Sequence, residues 1–388
     1  MLKLPVYLDN SATTQMDPRV FEAMTPYFLK HFGNAASRSH SFGWEAEEAV
    51  EYAREQVAQL IGAESKEIIF TSGATEGDNL ALKGVFEMYA AKGNHIITVA
   101  TEHKAVLDTC THLQKLGGEI SFLNVNKEGL IDAGEVEKAI QPNTILIAVM
   151  YANNEIGVIQ PIKEIGAIAK KNGVLFFTDA TQAAGKIPVD VIKDGIDLLA
   201  FSAHKIYGPK GVGALFLRRK NPRVRVTAQI DGGGHERGMR SGTLNVPGIV
   251  GFGKACELCR IEMGKDTDQI KKLRDKLESE LLKLEEVYIN GSVEHRLPNV
   301  CNLSFKYADS EGLMLGFNKN IAVSSGSACS SATLEPSYVL KALGVQEDLA
   351  KAAIRFGPGR FTTEEEIDYT IGQVSETVLK LRKVQVTG

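Results

Sequence analysis

The sequence predicts an α/β fold: a large domain on a mostly parallel seven-stranded sheet, joined to a smaller α+β domain. Three observations carry this. Between residues 67 and 217, seven apolar runs of strand character alternate with helical stretches. The runs are nearly continuous in apolar residues, as expected of parallel strands covered on both faces. Near residue 260 the pattern changes to a long charged helix followed by short strands. The large domain is therefore expected over 15–260. The smaller one comprises 1–14 and 261–388 and includes a loop at 324–334.

In chain order, residues 1–15 are short and irregular, with Leu-Asp-Asn-Ser-Ala-Thr-Thr at 8–14. Asp17-Pro18 starts a helix to about Lys30, because Asp caps and Pro suits the first turn. A loop through Gly33-Asn34 leads to a helix from Trp44 to Ile61. The strand runs are Glu67–Thr71, His95–Ala100, Glu119–Val125, Thr144–Met150, Val174–Asp179, Leu198–Ser202 and Ala214–Leu217. Helices are expected at Thr75–Ala91, Ala105–Leu116, Ala133–Ile140 and Ile162–Lys171. A glycine-rich segment at 231–242 precedes the charged helix Asp266 to Glu286. Strands at Val300–Phe305, Ile321–Ser324 and Ala353–Phe356 follow, then a helix from Thr363 to about Lys383.

The 388 residues carry a net charge of −4, with 44% hydrophobic and 24% charged residues. That balance argues against direct stable nucleic-acid binding, which needs a basic surface. No apolar run reaches the roughly 20 residues of a membrane span, and the first residues do not read as a signal peptide. Five scattered cysteines, at 110, 256, 259, 301 and 329, form a reducing-compartment pattern, so the protein is expected in the cytoplasm. Cys256-x-x-Cys259 lies in a helical pattern with no second pair nearby. It reads as two buried helical cysteines rather than a zinc site.

In parallel sheets ligands bind beyond the carboxyl ends of the strands. There the sequence places Thr71-Ser-Gly-Ala-Thr-Glu-Gly-Asp78, a helix start able to hold an anion. It also places His103, the pair Asn153-Asn154, Asp179 with Gln182, and Ser202-Ala-His-Lys205. Each has a plainer reading alone: a cap, a turn, a loop residue, a surface lysine. Together they supply what pyridoxal phosphate (PLP) needs. A lysine amine attacks the cofactor's aldehyde, an acid keeps the ring nitrogen protonated, and a helix end holds the phosphate.

On these residues the sequence closely resembles the cysteine desulfurases of the iron–sulfur-assembly branch, within the fold-type I PLP enzymes of the class-V aminotransferase family. The most specific pieces are Ser-Ala-His-Lys205, Gly234-His-Glu-Arg-Gly-Met-Arg-Ser-Gly-Thr243 and Ser324-Ser-Gly-Ser-Ala-Cys329-Ser-Ser331. The resemblance implies that Lys205 carries PLP and moves protons, and that His103 stacks on the ring. It implies that Asp179 pairs with the ring nitrogen, and that Gln182 and Asn154 contact the ring hydroxyl or the substrate. Ala74, Thr75, Ser202 and His204 are then the phosphate site. Thr243 reaches the phosphate of a neighbouring subunit, which implies a homodimer. Arg355 clamps the substrate carboxylate, and Asn34 is a further substrate contact. Cys329, among small residues suggesting a mobile loop, takes sulfur from L-cysteine as a persulfide, leaving L-alanine. The implied acceptors are an iron–sulfur scaffold protein and other sulfur carriers, with transfer-RNA thiolation left open. No resident metal site is implied, and whether Cys329 transiently ligates a cluster is open.

The basic run Arg218-Arg-Lys-Asn-Pro-Arg-Val-Arg225 reads as a solvated turn or as a docking patch for an acidic partner. Two positions depart from the family pattern. Gly77 stands where serine is common. Gly357-Pro358-Gly359 replaces Ser-Leu-Gly, and proline fixes its φ and removes an N–H, a change able to shift Arg355 or the strand near it. The alternatives are a selenocysteine lyase or small-substrate aminotransferase of the same fold, and a non-catalytic assembly scaffold.

Overall fold

A computed structural model describes residues 2–325 and 336–387. The seven expected strands form one sheet in the spatial order Ile68–Thr71, Gly213–Leu217, Leu198–Ser202, Leu175–Asp179, Thr144–Ala148, His95–Val99, Glu119–Leu123. Only Gly213–Leu217 runs antiparallel to its neighbours. The inner strands are buried along their whole length, which is why their sequences are apolar without alternation. Helices Ala74–Met88 and Lys104–Lys115 pack in the cluster on one face; the helices Ser41–Ile61 and Ile162–Asn172 pack on the other.

The smaller domain holds a four-stranded antiparallel sheet, ordered Ser324–Ser325, Ala353–Phe356, Cys301–Phe305, Val287–Ile289. Residues Val6–Tyr7 pair in parallel with Ile321–Ala322, and Val6 and Leu8 are buried in its core, so the N-terminal segment packs with it.

Two expectations are corrected. The helix through residue 260 is a single element, Val246–Leu281, 36 residues long. Its first half packs in the core of the large sheet and its second half in that of the small domain, so the expected boundary at 260 falls inside it. The first helix is broken by Pro26 into Pro18–Met24 and Pro26–Leu29. Cys256 and Cys259 are both buried on the long helix, as expected; burial pushes the Cys259 thiol up to about 11 and that of Cys256 well above its usual range.

Candidate active site

A cavity of about 720 Å³ lies where the parallel strands end. Lys205 reaches it from the short turn Ala203–Lys205 that follows the buried strand Leu198–Ser202. The lysine is half-buried. Its Nζ donates to the carbonyls of Ser11 (2.7 Å) and Ala12 (2.6 Å). The segment 9–14 thus forms one wall. It is held there by Thr14, whose N–H and Oγ1 both donate to the His204 carbonyl.

One end of the cavity suits an anion. Gly73 caps the helix Ala74–Met88 without a side-chain hydrogen bond, and Ala74 and Thr75 of its first turn line the cavity. Ser202, His204 and Lys210 complete this end. Burial, then the positive charges of Lys205, Lys210 and Lys186, hold the His204 imidazole down to about 4. A bound dianion would relieve that clustering of positive charge. Gly77 follows from packing: a Cβ there would lie 3.0 Å from the Ala200 Cβ on the adjoining strand, so a serine would crowd the sheet.

Acids and amides line the same cavity. His103 caps the helix Lys104–Lys115, its Nδ1 accepting from the Ala105 N–H (3.2 Å). Asp179 ends its strand buried, with Oδ1 accepting from the Thr181 N–H (2.9 Å). The two asparagines divide the roles read for them. Asn153 builds the turn, accepting from the N–H groups of Glu155 and Ile156. Asn154 lines the cavity with its Oδ1 buried and without a hydrogen-bond partner. Gln182 donates to the Ser11 carbonyl (2.9 Å) and accepts from the buried Lys186 Nζ (2.8 Å).

Arg355 enters from the other side, on the small-domain strand Ala353–Phe356. Its Nη1 donates to the Asn154 carbonyl (2.8 Å), its Nη2 pairs with Asp9 (2.8 Å), and its Nε is buried without a partner. A carboxylate approaching the Nε edge would complete the fork. Beside Pro358, Arg355 is in register between Asn302 and Ser324, while Gly357 bonds to Leu8 and Asn10.

Ten of the residues singled out in the sequence thus line one cavity: Ala74, Thr75, His103, Asn154, Asp179, Gln182, Ser202, His204, Lys205 and Arg355. Thr243 and Asn34 are exposed and do not line it. Cys329 lies outside the described residues. Glu236 of the Thr243 motif forms a buried pair with Arg54 (2.7 Å), and Arg240 pairs with Glu76 (2.8 Å). The motif is thereby tied to the helix Ala74–Met88. Asp9, Ser11, Asp78 and Lys186 were not singled out; a carboxylate next to an apolar strand, as in Leu8-Asp9, was the available signal for the first.

Residues 6–370 match the family description "Aminotransferase class-V". The chain is 58% identical over 384 residues to a cysteine desulfurase IscS of Anaeromyxobacter sp. (strain K), covering 99% of this chain and 95% of that one. The chain belongs to the class-V aminotransferase family, among its cysteine desulfurases. It is thus a PLP-dependent enzyme, and the fold-type I architecture expected for such a desulfurase is the one found. A solved "NIFS-LIKE PROTEIN" superposes with a TM-score of 0.90 at 39% identity, covering 96% of this chain and 99% of that one. "SspA in complex with cysteine" superposes at 0.83 and 35% identity, covering 92% and 100%. The desulfurase cavity fits PLP on its own chemistry: an amine, a buried carboxylate and an uncapped helix start converge, and the Asn154 Oδ1 is left without a partner.

Proposed function

We propose that this desulfurase removes sulfur from L-cysteine, releases L-alanine and passes the sulfur to acceptors for iron–sulfur cluster assembly. The reading is carried by one cavity lined together by Lys205, Asp179, an uncapped helix start and the Arg355 guanidinium. Lys205, Asp179, His103, Gln182, Asn154, Ser202, His204 and the backbone of Ala74 and Thr75 would hold PLP. When bound, PLP supplies an electron sink for charge left at Cα. Arg355 binds the substrate carboxylate through its Nε edge. The Lys205 amine takes the Cα proton and returns one to the product. His103 covers the ring face, with its neutral-state proton on Nε2 because Nδ1 accepts. Sγ of Cys329 bonds to the substrate sulfur as the Cβ–S bond breaks, leaving a persulfide on the protein.

The deciding experiment is Cys329→Ser. Sulfur release and alanine formation should stop while the visible absorbance of the bound cofactor stays. Full-rate turnover of cysteine by that variant would refute the assignment. Formation of a keto acid in place of alanine would favour an aminotransferase.

The active unit is a homodimer in this reading. Exposed Phe28, Phe32, Phe42, Trp44 and Tyr52 crowd one short stretch of chain, as at protein interfaces. Thr243 stays outside its own cavity, as a residue serving a neighbouring site would. The desulfurase acts in the cytoplasm; Cys110, Cys256, Cys259 and Cys301 are free. No described helix is long and apolar enough to cross a membrane. An acidic acceptor docks at Arg223 and Arg225, which are exposed; Arg218, by contrast, is bound to Asp197. Charge reversal at both arginines should weaken acceptor binding; unchanged binding rejects that patch.

A further inference from the structure

Asp78 lies one turn into the helix Ala74–Met88 and lines the cavity. It is 1% exposed, and neither carboxyl oxygen has a hydrogen-bond partner among the described residues. An ionised carboxylate in that position would be an unpaired buried charge, so the group is neutral. Burial raises it well above the usual carboxyl range, and the negative charges of Asp179 and Glu102 raise it further. Glu102 is also buried, but it accepts from the Met150 N–H, so it is not orphaned in the same way.

A neutral carboxyl carries an O–H that needs an acceptor. One oxygen of Asp78, one of Asp179 and a ring nitrogen of His103 lie within 4.8 Å of one another. The His103 Nδ1 is occupied by the Ala105 N–H, which makes Nε2 a donor in the neutral ring. The acceptor left is the Asp179 carboxylate. Its Oδ1 takes the Thr181 N–H, and a carboxylate can accept about four hydrogen bonds in all.

We propose that Asp78 is a positioning residue for Asp179: in the loaded enzyme its O–H donates to the Asp179 carboxylate, which holds that side chain in place and lowers its affinity for a proton. The inference rests on the proposed pairing of Asp179 with the ring nitrogen. Its consequence is that the proton between the two stays on the ring.

The test loads PLP labelled with nitrogen-15 in the ring into wild type, Asp78→Asn and Asp78→Leu. The asparagine can still donate; the leucine cannot. The ring resonance of wild type and Asp78→Asn should sit at the protonated position, and that of Asp78→Leu should move toward the free base. The PLP dissociation constant should rise about tenfold in Asp78→Leu, the scale of one hydrogen bond to a charged group, and stay near wild type in Asp78→Asn. Should Asp78→Leu not fold, Asp78→Ala, which also cannot donate, carries the same expectation. An unmoved resonance in the non-donating variant, or an asparagine variant that behaves like it, overturns the inference. A wild-type protein that takes up no PLP overturns the proposed function with it. Uptake with an unmoved resonance overturns this inference alone.

Discussion

The two ends of the cavity are built by different means. On the side of the large sheet, Ser72–Thr75, His103, Asp179 and Ser202–Lys205 all leave the carboxyl ends of strands in one sheet, so backbone pairing fixes their spacing. On the opposite side, Arg355 comes from the small domain, Asp9 from the N-terminal segment, and Ser324 from the strand next to Arg355. Asp9 Oδ1 accepts from both Arg355 Nη2 and Ser324 Oγ (2.9 Å). Sheet geometry presets the first end; a shared carboxylate sets the second. The second should therefore be the easier to retune by a single substitution.

Lys205→Ala should have the largest effect. It should abolish borohydride-trappable cofactor and cut turnover by on the order of 10³-fold, the middle of the range for a positioned acid–base group. Residual activity near wild type would break the assignment of this end. Arg355→Ala should raise KM by roughly 100-fold, as expected for losing a charge-assisted fork, with the cofactor spectrum unchanged. A changed spectrum with unchanged KM would erase the distinction between the ends. Asp9→Asn should act on the same parameter more weakly, about tenfold, because the guanidinium keeps its bond to Asn154 but loses its ion pair.

The smallest effect is on stability. Burial, then the charge of Lys205, lowers Lys186 from 10.5 to about 7. Between those values the unfolded chain binds the extra proton, so this lysine lets stability rise with pH through that window. Lys186→Met should accordingly gain most over wild type in urea midpoint below pH 7, and the gain should fade toward pH 10. A gap independent of pH would mean that the lysine is not held down in the fold.

The cofactor end was legible in the sequence because each of its residues directly follows an apolar run. Strand ends can be found from local periodicity, and function in such sheets sits at strand ends. On the opposite side, Arg355 was singled out only through family resemblance, and the structure places it in the same cavity. The contact of Asp9 with Arg355 joins residues 346 apart and leaves no periodic mark. Asp78 was hidden because a polar residue in a helix start reads as solvated. The long helix was cut short at its glycines, which are poor helix formers. Gly253 is there for contact: a Cβ would lie 2.7 Å from the Ala53 Cβ on the helix Ser41–Ile61.

That unbroken helix, Val246–Leu281, has a mechanical consequence. Because it is embedded in both hydrophobic cores, it acts as a strut that resists swinging one domain about residue 260. A swing of one domain about residue 260 would have to break this helix or strip one half of it from its core.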